Sequence, residues 1–182
     1  ATTSVSSLEP ADAFVNAGAF PLGINGQGFT SSTAVTYTTA AGTTGTLPAT
    51  LVSASRLNVT LPANLTLDAD VLTIGVANPG GPVSTATLPV NPVLTSFSPD
   101  SAEVKSGAQL AVTASGAGFG TSLENLYIQT PNGTPSSVFF DVTAVTPTSI
   151  MANASVSTPA GVYPFRVIRK VGSTWLYSVT RN

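Results

Sequence analysis

Apolar and polar residues alternate along much of this chain with a period of two. Phe20, Leu22 and Ile24; Leu57, Val59 and Leu61; Leu72, Ile74 and Val76; and Leu110, Val112 and Ala114 each line one face of an extended backbone, the pattern of a strand with a single buried face. Turn-forming residues interrupt these runs at short intervals, at Asn25-Gly26, Ala41-Gly42, Asn78-Pro79-Gly80-Gly81 and Pro131-Asn132-Gly133. No long stretch carries the 3.6-residue period of a helix. The pattern predicts an all-β chain of short antiparallel strands with almost no helix.

The chain also repeats itself. Leu8-Glu9-Pro10 corresponds to Phe97-Ser98-Pro99 and Gly18 to Gly107, a shift of 89 residues. Gly26-Gln27-Gly28-Phe29 returns as Gly116-Ala117-Gly118-Phe119 at a shift of 90, and Val71–Val76 as Val162–Val167 at 91. This predicts two domains, residues 1–90 and 91–182, meeting at Pro89-Val90-Asn91-Pro92, a connector too short and too proline-rich to act as a flexible tether. Several short strands in each half, rich in β-branched residues and without helical crossovers, point to two tandem immunoglobulin-like Greek-key β-sandwiches. The Gly-x-Gly pairs are expected to let Phe29 and Phe119 turn into the core. Without a third glycine or a following helix they do not make a phosphate-binding loop.

These residues resemble a known family. Leu8-Glu9-Pro10, Gly18, Gly26-Gln27-Gly28-Phe29 and Val76-Ala77-Asn78-Pro79-Gly80-Gly81 are similar to the motifs of an IPT/TIG domain. The second half matches at Phe97-Ser98-Pro99, Gly107 and Gly116–Phe119, and has Arg169-Lys170-Val171-Gly172 in place of the Asn-Pro-Gly-Gly turn. The resemblance implies an early-set immunoglobulin-like sandwich and no activity. It also implies a setting, since such modules occur in tandem in bacterial exported and cell-surface proteins and beside carbohydrate-active enzymes.

Composition narrows the chemistry. The 182 residues include no Cys and no His, which excludes disulfides, thiol nucleophiles, Ser-His arrangements and imidazole or thiolate metal sites. Charged residues make up only 8% and the net charge is −2, so the basic excess of a nucleic-acid binder is missing and no nucleic-acid partner is expected. The chain starts at Ala1 and holds no run of 18 apolar residues. It is read as a mature or excised segment of a larger polypeptide, without membrane insertion, and extracellular, cell-surface or periplasmic. No cofactor is expected.

Among the eight carboxylates, Asp68 and Asp70 form a fragment of an oxygen-ligand site for calcium, but a solvated turn is the favoured reading because a full site takes six to eight oxygens. The aromatic residues of the last hairpin, Trp175 and Tyr177 with Tyr163 and Phe165, could stack on sugar rings. Aligning Ala86, Leu88 and Val90 with Trp175, Tyr177 and Val179 instead places Trp175 and Tyr177 on the face that is apolar in the first half, so the core is the favoured site for both. Bases cluster here too. Residues 1–90 carry one base against four acids, residues 91–182 five against four, with Arg166, Arg169, Lys170 and Arg181 around the final hairpin. They either shield an edge strand from other chains or attract an anionic partner. Trp175, Tyr177, Arg166, Arg169 and Lys170 are the candidate ligand or partner contacts. The function expected is a non-enzymatic spacer or protein-interaction module of a larger exported or cell-surface protein; the alternative is an accessory carbohydrate-binding module attached to a glycan-active enzyme. The partner is a protein or polysaccharide, unidentified.

Overall fold

A computed structural model describes residues 2–100, 102, 107–129, 138–156 and 161–181. Its backbone is nearly all β, with one short 3-10 turn at Ala63–Thr66 and no α-helix among the described residues. The turn expected at Pro131-Asn132-Gly133 lies outside the described residues. Contacts divide the chain into two compact units, Ala1–Val90 and Asn91–Asn182.

Unit 1 contains β1 (Ser4–Glu9), β2 (Ala13–Phe14), β3 (Phe20–Gln27), β4 (Ala34–Thr38), β5 (Thr44–Leu47), β6 (Ala49–Ser53), β7 (Arg56–Leu61), β8 (Asp70–Ala77) and β9 (Ser84–Asn91). They form two sheets in the orders β1-β3-β7-β6 and β2-β9-β8-β4-β5. The chain changes sheet between β3 and β4, between β5 and β6 and between β7 and β8, the arrangement of an immunoglobulin-like β-sandwich. The alternating residues do what their period requires. Leu22 and Ile24 of β3 and Leu57, Val59 and Leu61 of β7 are buried, as are Leu72, Ile74 and Val76 of β8 and Leu88 and Val90 of β9. Full burial of each such side chain contributes roughly 1.5–3 kcal/mol, and this carries the fold in a chain without cysteine.

Unit 2 contains β10 (Val93–Ser98), β11 (Gln109–Ala117), β12 (Leu126–Gln129), β13 (Val138–Thr146), β14 (Ser149–Val156), β15 (Arg166–Val171) and β16 (Thr174–Tyr177). Its sheets run β10-β11-β14-β13 and β12-β15-β16. The first has the order of β1-β3-β7-β6, down to the bulge in its first strand, which falls between Val5 and Ser7 in unit 1 and between Leu94 and Ser96 in unit 2. The core is built from Leu94, Val112, Phe119, Leu126, Ile150 and Val167 with the small Ala114, Ala152 and Ala154. Phe97, Phe140 and Phe165 pack on it, with Phe165 edge to face against the other two, its ring centre 5.4 Å from that of Phe97 and 4.9 Å from that of Phe140.

The Gly-x-Gly-Phe motif shows why the two units share local structure. In unit 1 the Gly26 amide donates to the Ser55 carbonyl and the Phe29 amide to Ala54, both at 3.0 Å. In unit 2 Gly116 donates to Thr148 and Phe119 to Pro147 at 2.9 and 3.2 Å. A Cβ at Gly26 would collide with the Ser4 carbonyl oxygen and the Phe29 ring, and one at Gly116 with the Val93 carbonyl oxygen and the Phe119 ring. Gly28 and Gly118 have φ of 75° and 78°, which only glycine adopts at no steric cost. The chain thereby reverses within three residues and seats Phe29 at 3% and Phe119 at 1% exposure.

The one base of unit 1 is spent on its own surface. Arg56 Nη1 donates to Glu9 Oε2 at 2.5 Å and to Asn25 Oδ1 at 2.7 Å, with the two side chains of the ion pair 31% and 67% exposed. A solvated pair of this kind contributes no more than about 1 kcal/mol. Glu9→Gln is therefore expected to lower the stability of unit 1 by less than that, read as the shift in its urea midpoint.

Candidate functional site

The residues singled out by sequence meet on β15 and β16, but not as their alignment predicts. Leu176 is 1% exposed, while Trp175 and Tyr177 on either side of it are 38% and 42% exposed. The favoured core placement of these two rings is therefore incorrect. The reason is the length of the hairpin. In unit 1, β8 and β9 stop pairing at Val76 and Ser84 and the chain crosses over through Asn78-Pro79-Gly80-Gly81. In unit 2 the two strands continue past the corresponding point to a tight turn, with Val171 opposite Thr174. The Ser178 amide donates to the Val167 carbonyl at 2.9 Å, so Ser178 stands where Ser84 stands, a shift of 94 rather than 89. The difference is odd, and an odd slip in a strand turns every side chain to the opposite face.

The extended hairpin carries an aromatic and cationic surface on the outer face of the β12-β15-β16 sheet. Tyr127 lies opposite Ile168, and Ile168 opposite Tyr177; the neighbouring rung sets Lys170 opposite Trp175. The Tyr127 and Trp175 rings are 5.8 Å apart, centre to centre, and tilted by 51°. The Lys170 ammonium sits 5.3 Å from the centre of the Trp175 ring, and the Arg166 guanidinium 4.6 Å from that of Tyr177. Ile168 also points outward, yet it is only 7% exposed. On the inner face the same three strands bury Leu126, Val167 and Leu176. Alternation thus divides the hairpin into an apolar underside and a ring-bearing top.

Two expectations about the bases change with this geometry. Arg166 and Lys170 lie on β15, which is paired on both sides by β12 and β16, so they do not guard a free edge. Arg169 belongs to the inner register, opposite Leu126 and Leu176, and its Nη1 donates to the Gly118 carbonyl at 2.7 Å. In unit 1 that bond is made by Asn78, whose Nδ2 donates to the Gly28 carbonyl at 2.8 Å. Arg169 is thus the counterpart of the turn asparagine that unit 2 lacks, and its role is to hold the Gly118 loop. Arg181 is likewise engaged, through Nε to the Leu94 carbonyl at 3.1 Å.

Tyr127, which is not among the candidate contacts named from the sequence, joins these rings and is 52% exposed. Its signal was present in the run Leu126-Tyr127-Ile128-Gln129, where Leu and Ile share one phase and Tyr takes the other. The same outer face in unit 1 carries threonines: Thr38 pairs with Thr44 and Thr73, and Thr73 with Thr87.

Asp68 and Asp70 are engaged by backbone amides close to them in sequence or space. Asp70 Oδ1 accepts from the Ala40 amide at 3.0 Å and the Val71 amide at 2.7 Å, and Asp68 Oδ1 from the Ala69 amide at 2.8 Å. These are turn-capping roles. No group of three or more acidic ligands is assembled among the described residues, and no helix among them is long and apolar enough to cross a membrane. A small polar cleft lined by Glu124, Asn125, Ser122, Arg169 and Lys170 adjoins the hairpin.

Fold and face together define an immunoglobulin-like β protein with an exposed aromatic and cationic sheet surface. No family model and no curated protein matches the chain. Among solved structures it is similar to a chimeric titin Z1Z2 functionalised with an exogenous KLER peptide from decorin, with 14% identity and a TM-score of 0.30, over 98% of this chain and 96% of that one. The fold assignment stands on strand order and core rather than on that likeness.

Proposed function

We propose that this chain is a non-enzymatic segment of a larger exported or cell-surface protein, built from two tandem immunoglobulin-like modules of the IPT/TIG kind. Unit 1 spaces, and unit 2 contacts polysaccharide through Tyr127, Trp175 and Tyr177. The observation that carries the contact is the exposure of these three rings on one sheet face. Flat aromatic side chains with one open side offer apolar area to the C–H faces of sugars while their polar tips stay wet. The IPT/TIG assignment is supported by the repeated Gly-x-Gly-Phe reversal with the same backbone partners in both units. A non-catalytic role fits the way Asp68 and Asp70 accept hydrogen bonds from neighbouring backbone amides at turns.

Trp175 is the sole tryptophan, so its emission reports on the site directly. Titrating the chain with soluble glucans, xylans and pectins is expected to shift that emission with at least one polymer, and Trp175→Ala to weaken retention by that polymer about tenfold or more. An unchanged spectrum together with no retention on any polymer would overturn the contact. Protein contact through the same face is the second reading, favoured by its composition, since Trp, Tyr and Arg dominate the energetics of protein interfaces. A protein partner that quenches Trp175 in a chain showing no polysaccharide retention would establish it.

A further inference from the structure

We infer that the ligand of the unit 2 face is an acidic polysaccharide, one carrying a carboxylate on its pyranose rings; this rests on the polysaccharide reading above and gives that site its ligand class. Three observations carry it. First, among the described residues the register places two cations and no acid on this face: Arg166 and Lys170 project outward from β15 beside Gln129, Tyr127, Ile168, Trp175 and Tyr177, while Glu124 lines the adjoining cleft with Lys170.

Second, neither charge forms an ion pair among the described residues, and a ring lies against each. The ion pair formed among the described residues joins Arg56 to Glu9 in unit 1; Arg166 lies over Tyr177 and Lys170 over Trp175. The Arg166 Nε is shielded from solvent and has no hydrogen-bond partner among the described residues. A ring quadrupole offsets only part of a desolvated positive charge, so the face favours an occupant that brings negative charge.

Third, the fold does not require this surface. Unit 1 ends the equivalent strand pairing earlier, at Val76 and Ser84, and covers the equivalent sheet face with threonines. The extra rungs that hold Lys170, Trp175 and Tyr177 are therefore an addition of unit 2, and their side chains combine the two groups that a uronate needs. An aromatic ring takes the apolar face of the sugar, and an ammonium or guanidinium beside it takes the carboxylate through charge-assisted hydrogen bonds. An acidic peptide would use the cations but leave the open rings without a matching flat partner.

The test compares three polymers on the full chain at low salt: polygalacturonate, the same polymer methyl-esterified so that its rings remain and its charge is gone, and polyglutamate. Binding is followed by Trp175 emission and by retardation in gels containing each polymer. Polygalacturonate is expected to bind about tenfold more tightly than its ester, with the difference shrinking as salt is raised. Lys170→Gln and Arg166→Gln should each remove much of that difference while leaving the weaker binding of the ester. Lys170→Gln is the decisive variant, because Lys170 lies near the hairpin turn and its replacement leaves the core untouched. Equal binding of acid and ester would overturn the acidic class and leave the polysaccharide reading standing. Polyglutamate binding as tight as polygalacturonate would overturn it in favour of an acidic peptide. No binding of any of the three would overturn the acidic class, and the polysaccharide reading falls with it only if the glucans and xylans above also fail to bind.

Discussion

Phe119→Ala is expected to destabilise unit 2 by about 3–5 kcal/mol, read as a large fall in the urea midpoint of Trp175 emission. Phe119 is 1% exposed and sits at the end of the Gly-x-Gly reversal, where its ring fills the space that Gly116 leaves free. Truncation removes the buried ring and leaves a cavity that the backbone-pinned Gly116 loop cannot collapse into. Against a total stability of roughly 5–15 kcal/mol for a domain, that loss brings unit 2 close to unfolding at ordinary temperature. Phe29→Ala should do the same to unit 1, followed by circular dichroism. Phe139→Ala is the control: at 64% exposure its loss should stay within about 0.5 kcal/mol. A midpoint for Phe119→Ala no lower than that of Phe139→Ala would refute the assignment of the motif as a core anchor.

Asn78→Ala should cost unit 1 about 1–3 kcal/mol, the penalty for leaving buried polar groups without partners. The side chain is 8% exposed and satisfies three groups at once. Its Oδ1 accepts from Thr33 Oγ1 at 2.5 Å and Thr30 Oγ1 at 3.2 Å, and its Nδ2 donates to the Gly28 carbonyl at 2.8 Å. Asn78→Asp keeps the acceptor, removes the donor and turns a carboxylate oxygen towards the Gly28 carbonyl, so it should be at least as damaging as the alanine. In unit 2 Arg169→Ala loses the bond to Gly118 and is expected to lower stability by a comparable amount. Because Arg169 faces inward from the hairpin, polysaccharide retention per folded molecule should be unaffected. Thermal unfolding and retention measured on the same preparations separate the two effects. A variant Arg169→Ala that keeps its stability but loses binding would return this residue to the contact surface.

Much of the architecture was legible from local chemistry. The period-two runs at Leu22–Ile24, Leu57–Leu61 and Leu72–Val76 became buried strand faces, because alternation is a property of each strand by itself. The Gly-x-Gly-Phe motifs were likewise readable, since glycine beside a large aromatic at a strand end has few structural uses. The departure at Arg169-Lys170-Val171-Gly172 was visible as a difference between the halves, but its meaning was not. Only the fold shows that Arg169 reaches the carbonyl that Asn78 holds in the other unit.

The sequence by itself determined that this protein is built of one-sided antiparallel strands, that it has neither thiol nor imidazole chemistry, and that its bases and rings concentrate near the last hairpin. Tertiary structure decided which way those rings face. Strand register depends on where a hairpin turns, and the turn of unit 2 at Gly172-Ser173 lies beyond the point where unit 1 reverses. An alignment made on apolar spacing alone misplaces β16 by an odd number of residues and buries Trp175 and Tyr177; the hydrogen bonds between β15 and β16 place Leu176 in the core and open both rings to solvent.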